Sequence, residues 1–253
     1  MTNKHGEFIW YELMTTDPDA ARAFYEPVVG WTIGAASGMP GMDYRIIEAP
    51  DASVGGVMAI DADMASHGAR PLWIGYIGVD DVDATAEAIK QHGGRIHVPP
   101  TDIPGVGRFA MASDPQGAPF YVMRGAVEGT STAFSPDAPG HCCWNELTTP
   151  DQDKADAFYA AVFGWTSPES MPMGPMGDYR FLYAGDIRIG ASMRGEGARW
   201  QPYFTVPSIA AAVEAVKAHG GRIDNGPHEV PGGSHVVVGT DPQGARFALA
   251  GGA

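Results

Sequence analysis

Two glutamates sit where they could move protons. Glu12 and Glu146 each follow a tryptophan by two residues, in WYELMTT (10–16) and WNELTTP (144–150). Both stretches read as strands, and residues two apart on a strand share a face. Trp10 therefore projects with Glu12, and Trp144 with Glu146. A carboxyl enclosed by apolar rings has a raised pKa, which suits general acid–base catalysis. The same spacing also fits a carboxylate that bonds backbone groups or an arginine such as Arg45 or Arg180, and both readings stand.

Other chemistry-bearing residues form no familiar set. His92 and His219 precede Gly-Gly at helix ends, where a cation suits the helix dipole. His97, His228 and His235 have no partner pattern, and His141 lies just before the strand of Trp144. HExxH, CxxC, GxSxG and GxGxxG are absent. The stretches ASGMPGMD (36–43) and SPESMPMGPMGD (167–178) read as loops. Met171, Met173 and Met176 in the second carry adaptable thioethers, as a lid over an apolar ligand would.

The elements that must position these groups recur. FIWYELMTT (8–16) alternates as a strand, then Asp17 caps a helix with Pro18 in its first turn. Ala21, Phe24, Tyr25 and Val28 make that helix's apolar stripe. Pro27 should tighten or end it, and Gly30 turns the chain. YRIIEAP (44–50) and SVGGVMAI (53–60) form a hairpin. WIGYIGV (73–79) is a strand, DVDATAEAIKQH (81–92) a helix, and RIHVPPTDI (95–103), GRFAMAS (107–113) and APFYVM (118–123) are strands.

The second half repeats the first. WYELMTTDPDAARAFYEPVVGW (10–31) matches WNELTTPDQDKADAFYAAVFGW (144–165). Further on, Trp73 matches Trp200, HGGRI recurs at 92–96 and 219–223, and DPQGA at 114–118 and 241–245. The change in register places an insertion at Asp61–Pro71 of the first copy. The pattern predicts an α+β protein of about four βαβββ modules. They would form two cup-shaped antiparallel sheets with helices outside. Residues 1–124 and 141–253 are then two domains, and 125–140 a linker rich in small residues and turn formers.

Composition limits the partners. Thirty acidic residues against sixteen basic give a net charge of -14, which disfavours nucleic acid and anionic membranes. Adjacent Cys142 and Cys143 point to opposite strand faces, so no disulfide is expected between them. Without a signal segment or an apolar span, the expected location is the cytoplasm, as monomer or homodimer.

The ordered motifs W-x-E-L-x-T-x-D, A-x-A-F-Y, G-W and DPQGA resemble the vicinal oxygen chelate superfamily of glyoxalases, bleomycin-resistance proteins and extradiol dioxygenases. The double-length form with tryptophan in the first strand is similar to the mycobacterial culture-filtrate antigen group, glyoxalase-like proteins also labelled hydroxylases. The resemblance implies a divalent metal (Zn, Ni, Fe or Mn) on His, Gln or Glu side chains in the cup. Ligands are implied seven residues before each helix-capping position and seven after the Asp of each DPQGA turn. Those positions here hold Trp10, Ile74, Trp144, Gln201, Tyr121 and Ala248. Only Gln201 could ligate, and such a metal needs about three basic protein ligands. No cofactor is therefore expected.

Two functions follow as expectations. In the first, a metal-free protein binds a small, partly aromatic molecule through Trp10, Tyr121, Trp144 and Gln201, with Met171, Met173 and Met176 as lid. In the second, a divalent-metal-dependent isomerase, lyase or dioxygenase uses a rearranged site. Glu12 or Glu146 could serve as catalytic base in a metal-free enzyme variant.

Overall fold

The computed structural model describes residues 3–37 and 42–253. The first copy runs β1 (Phe8–Thr15), α1 (Pro18–Val29), β2 (Thr32–Ile33), β3 (Tyr44–Glu48), β4 (Ser53–Ala59), α2 (Ala62–Ser66), β5 (Leu72–Gly78), α3 (Val82–Gln91), β6 (Arg95–Ile103), β7 (Gly107–Ser113) and β8 (Pro119–Gly125). The second runs β9 (Cys142–Thr149), α4 (Gln152–Phe163), β10 (Thr166–Pro172), β11 (Asp178–Ala184), β12 (Ile187–Arg194), β13 (Arg199–Ser208), α5 (Ile209–Ala218), β14 (Arg222–Glu229), β15 (His235–Thr240) and β16 (Arg246–Gly252). The chain is thus α+β, with βαβββ modules in tandem. The expected insertion at Asp61–Pro71 is where α2 lies.

Each copy's strands form one open eight-stranded sheet, ordered β2-β3-β4-β1-β5-β8-β7-β6 and β10-β11-β12-β9-β13-β16-β15-β14. The sheets are mixed, which corrects the antiparallel expectation. β1 pairs parallel with β4, β5 with β8, β9 with β12 and β13 with β16. The helix after each opening strand returns the chain to its starting end. Three alternating strands then finish with the last running like the first, so those two meet in parallel.

Local signals explain most boundaries. Asp17, Asp81, Asp151 and Ser208 each accept a backbone N–H three residues on and start α1, α3, α4 and α5. Gly30 and Gly164 close α1 and α4 in the left-handed conformation. His92 and His219 are the C-caps of α3 and α5. Two expectations need correction. α1 runs past Pro27 to Val29, because Pro27 lies in the last turn and removes only one bond of the ladder. Residues 167–178 are not a loop: 167–172 lie in the edge strand β10, and a 3-10 turn follows at Gly174–Met176. An edge strand needs hydrogen bonds on one side only, so it tolerates Pro168 and Pro172. The loop at 36–43 lies partly outside the described residues.

By its contacts the chain divides into two compact units. One holds Trp10–Ile74, Thr132–Cys143 and Pro202–Ala253; the other holds Met1–Ile9, Gly75–Ser131 and Trp144–Gln201. Each unit joins the first module of one copy to the second module of the other. The joint is a buried hydrogen-bonded chain. In the first unit Trp73 Nε1 donates to Tyr25 Oη at 2.9 Å, and Tyr25 Oη donates to Asp241 Oδ2 at 3.0 Å. In the other, Trp200 Nε1 donates to Tyr159 Oη at 2.7 Å, and Tyr159 Oη to Asp114 Oδ2 at 3.3 Å. The second oxygen of each aspartate accepts two backbone N–H groups of its own DPQGA turn.

Aromatic rings surround each chain. Tyr25 packs edge-on to Phe24, Trp73 and Phe247, and Phe204 packs on Trp31 and Trp73. Tyr159 packs on Phe158, Trp165 and Trp200. Trp31 and Trp165 donate to the carbonyls of Gly140 and Gly6 at 2.7 and 2.9 Å.

Tyr25→Phe leaves the Trp73 indole N–H and an Asp241 oxygen without their partner. It should cost about 1–3 kcal/mol in chemical denaturation, and Tyr159→Phe a similar amount. Burial raises the pKa of Asp241 above the ordinary carboxylate value, so the folded state holds a proton that the unfolded chain releases. That contribution is greatest below the unfolded pKa and is lost as pH rises through the raised one. The stability advantage of the native chain over Asp241→Asn should therefore be larger at pH 4 than at pH 7; an equal or reversed difference in denaturation midpoint would contradict this.

Candidate functional site

Strand alternation decides which side chains are available for chemistry. On β1, Tyr11 and Leu13 are buried, and Tyr11 packs edge-on to Phe204. Trp10 and Glu12 take the opposite face. On β3, Arg45 turns toward α1, where it bonds Asp19 at 2.6 Å, and it forms a forked pair with Asp43 just before its own strand. Tyr44 beside it points the other way and meets Trp10: Trp10 Nε1 donates to Tyr44 Oη at 2.9 Å. Tyr44 is in turn hydrogen-bonded to Glu12. Burial, then the Glu12 charge, pushes the phenol well above its ordinary pKa, so it stays protonated and donates.

The second copy builds the same chain. Trp144 Nε1 donates to Tyr179 Oη at 2.7 Å, and Tyr179 Oη donates to Glu146 Oε2 at 2.9 Å. Trp144 and Tyr179 lie nearly parallel at 8°, and Phe181 stands edge-on to both. Arg180 alternates away and pairs with Asp153 and Asp156. The glutamates are thus partnered by tyrosines, whereas the arginines considered from sequence pair with aspartates. Glu12 is only 2% exposed, and Glu146 is half-buried.

The remaining expected site residues divide. Tyr121 is buried and stacks on Tyr76 at 4.3 Å, with Phe109 beside it. Gln201 is buried on β13, beside Trp200 of the Tyr159 chain. Met171 pairs in register with Tyr179, so β10 sets its thioether beside the aromatic group of β9 and β11. Met173 is half-buried at the turn, and Met176 is 51% exposed. His141 is enclosed, its ring nitrogens held by the Thr132 carbonyl and by Asp51 at 2.7 Å. Among the described residues no group of three or more His, Cys, Asp or Glu side chains is placed to hold a metal ion. No helix among them is long and apolar enough to cross a membrane. Both cysteines are free.

Tyr44 and Tyr179 are the members of the candidate site that sequence reading missed. Each lies at the start of a strand, Tyr44 first in β3 and Tyr179 second in β11, after a stretch rich in Gly, Pro and Met that matches poorly between the copies. The signal lies in the shared DYR tripeptide, at 43–45 and 178–180.

The first copy also needs a glycine. Gly56 pairs with Glu12, and a Cβ there would overlap Tyr44 Oη and Cζ. The second copy has Ala191 opposite Glu146. Gly56→Ala should therefore displace Tyr44 and break its bond to Trp10, at a stability cost of about 1–3 kcal/mol. The Trp10 indole N–H resonance, assigned by its loss in Trp10→Phe, should move to the position of an unbonded indole. An unmoved resonance would contradict the packing.

Residues 7–122 and 138–249 match the Glyoxalase/Bleomycin resistance protein/Dioxygenase superfamily. The glyoxylase-named protein CFP32 of Mycobacterium tuberculosis (strain CDC 1551 / Oshkosh) is 33% identical over 246 residues, 95% of this chain and 92% of its own. Anthracycline biosynthesis protein DnrV of Streptomyces peucetius is 28% identical, over 95% of this chain and 91% of its own. Among solved structures, the Mn(II)-bound glyoxalase of Novosphingobium aromaticivorans superposes with a TM-score of 0.67 at 20% identity, covering 98% of this chain and 82% of that one. The 2,3-dioxygenase LapB of Pseudomonas sp. KL28 also reaches 0.67, at 14% identity, covering 98% and 93%. With its duplicated motifs, its two sheets of identical strand order and a family match in each half, the chain belongs to the glyoxalase/bleomycin resistance protein/dioxygenase superfamily.

Proposed function

We propose that the chain binds a small, partly aromatic organic molecule against the strand faces that carry Trp10 and Trp144. The observation that carries this reading is the repeated indole–phenol–glutamate chain, on the face away from Arg45 and Arg180. Each chain offers half-buried indole surface, and in the second copy the half-buried Glu146 carboxylate lies beside it, so a ligand there can stack on one and hydrogen-bond to the other. The name of DnrV links that relative to the biosynthesis of anthracyclines, whose fused-ring system contains planar aromatic rings. That chemistry fits the same surface. The thioether of Met171 next to Tyr179 would adapt to such a ring.

A chelated metal suits these residues poorly. At the ligand positions implied by the family, Trp10 and Trp144 present indole N–H groups, which donate and do not coordinate. Tyr121 is stacked ring on ring, and Gln201 supplies only a neutral amide. A second reading retains the alternative of a divalent-metal-dependent isomerase, lyase or dioxygenase with a rearranged site. It is favoured by the likeness to the Mn(II)-bound glyoxalase. Glu12 and Glu146 remain the groups proposed to act as base if the bound molecule reacts. The assembly is proposed to be a monomer or homodimer.

Tryptophan fluorescence should be quenched on titration with a panel of planar aromatics. Trp10→Phe and Trp144→Phe should each weaken binding at their own copy roughly tenfold. Absence of quenching across the panel would remove the binding reading. Elemental analysis of dialysed protein separates the alternatives: stoichiometric Zn, Ni, Fe or Mn would favour the metal-dependent enzyme.

A further inference from the structure

The two copies also differ on this face at the hairpin beyond Tyr44 and Tyr179. The antiparallel pair β11–β12 contains a bulge: Leu182 faces Gly190, but the next residue, Tyr183, faces Arg188, and Ile189 is passed over. A bulge adds one residue to a strand and reverses the face on which the following side chains emerge. Gly190 and Ser192 belong to the side of β12 that serves α4, where Ser192 bonds Asp156 at 2.7 Å and its carbonyl accepts from Gln152. Simple alternation would put Arg188 there as well. The bulge turns it to the face of Tyr183 and Phe181.

Its guanidinium carbon lies 5.2 Å from the Phe181 ring centre and 5.7 Å from that of Trp144. The bulge is itself held in place, because Asn145 Nδ2 donates to the Ile189 carbonyl at 2.9 Å. The first copy has the same irregularity, with Ile47 opposite Gly55 and Glu48 opposite Ser53. The side chain it re-aims is Ser53, which bonds Glu48 at 2.9 Å.

Arg188 is exposed, and no carboxylate among the described residues lies within ion-pairing distance of it. Two acids share its surroundings, and both are engaged by hydroxyls: Glu146 accepts from Tyr179, and Glu169 from Tyr183 at 3.3 Å. In a chain of net charge -14, a cation without a salt bridge beside stacked rings is a selective feature. A guanidinium lying on aromatic rings keeps its in-plane N–H groups, and that fork matches a carboxylate.

We infer that the second copy's surface takes a planar aromatic carboxylate. The acid group pairs with Arg188, and the ring lies among Trp144, Phe181 and Met171. The first copy, with Ser53 paired to Glu48, carries no such preference. This rests on the aromatic-binding reading above and adds the charge of the ligand to it.

The test compares 2-naphthoate with its neutral analogue 2-naphthamide on the full chain by titration calorimetry. Naphthoate should bind at least tenfold tighter, and added salt should narrow the gap. Arg188→Gln, at an exposed position, should remove most of the advantage of naphthoate over naphthamide. Trp144→Phe should weaken both probes, while Trp10→Phe keeps the preference. Equal affinities in the native chain, or a preference that survives Arg188→Gln, would overturn the carboxylate assignment while aromatic binding stands. Failure of both probes to bind would overturn the two together.

Discussion

The buried chain from tryptophan through tyrosine to aspartate is the constraint on which the rest of the structure depends. Its members come from both copies: the phenol of one copy's first helix reaches the DPQGA aspartate of the other. Each phenol has one proton to donate and accepts one N–H, so the three groups satisfy one another without water. Leaving any of them alone in a core of phenylalanines and tryptophans would strand a buried polar atom. Duplication therefore gives more than two similar halves. Each half supplies a donor that only the other half's turn can use, and the modules must exchange for either core to close.

This division of labour explains why the sequence revealed its fold more readily than its site. The motifs that repeat most faithfully, FY, GW and DPQGA, are the ones that build the buried chains and the caps beside them. Tyr25 and Tyr159 fill the cores, Trp31 and Trp165 fasten to backbone carbonyls, and Gly117 and Gly244 turn with positive φ. Periodicity also placed Trp10 with Glu12 and Trp144 with Glu146, because a strand's two-residue repeat needs no tertiary information. What the glutamates pair with depended on which strand lies alongside. Sequence offered Arg45 and Arg180, each one residue away from the tyrosine that makes the contact.

Two features stayed hidden for stated physical reasons. β10 is rich in proline and methionine, which is the composition of a loop, and only its place at the sheet edge lets it pair with β11. Arg188 was invisible because a bulge breaks the alternation on which every facing argument rests. Counting by twos along β12 puts it under the helix. The skipped residue Ile189 puts it over Trp144.

The faces away from the buried chains are under a weaker architectural demand. A residue there takes no part in those chains, so indoles can stand where the family's resemblance implies metal ligands without disturbing them. That freedom separates the evidence for membership from the evidence for chemistry. The shared motifs argue for the fold because they form it, and they are silent about the opposite face for the same reason. There the two copies have already diverged, with Gly56 against Ala191 and Ser53 against Arg188, while the tryptophan–tyrosine–aspartate chains of their cores remain matched. Under the proposed function, two faces that differ in this way would be free to prefer different molecules. The charge at the bulge is the largest chemical difference between them.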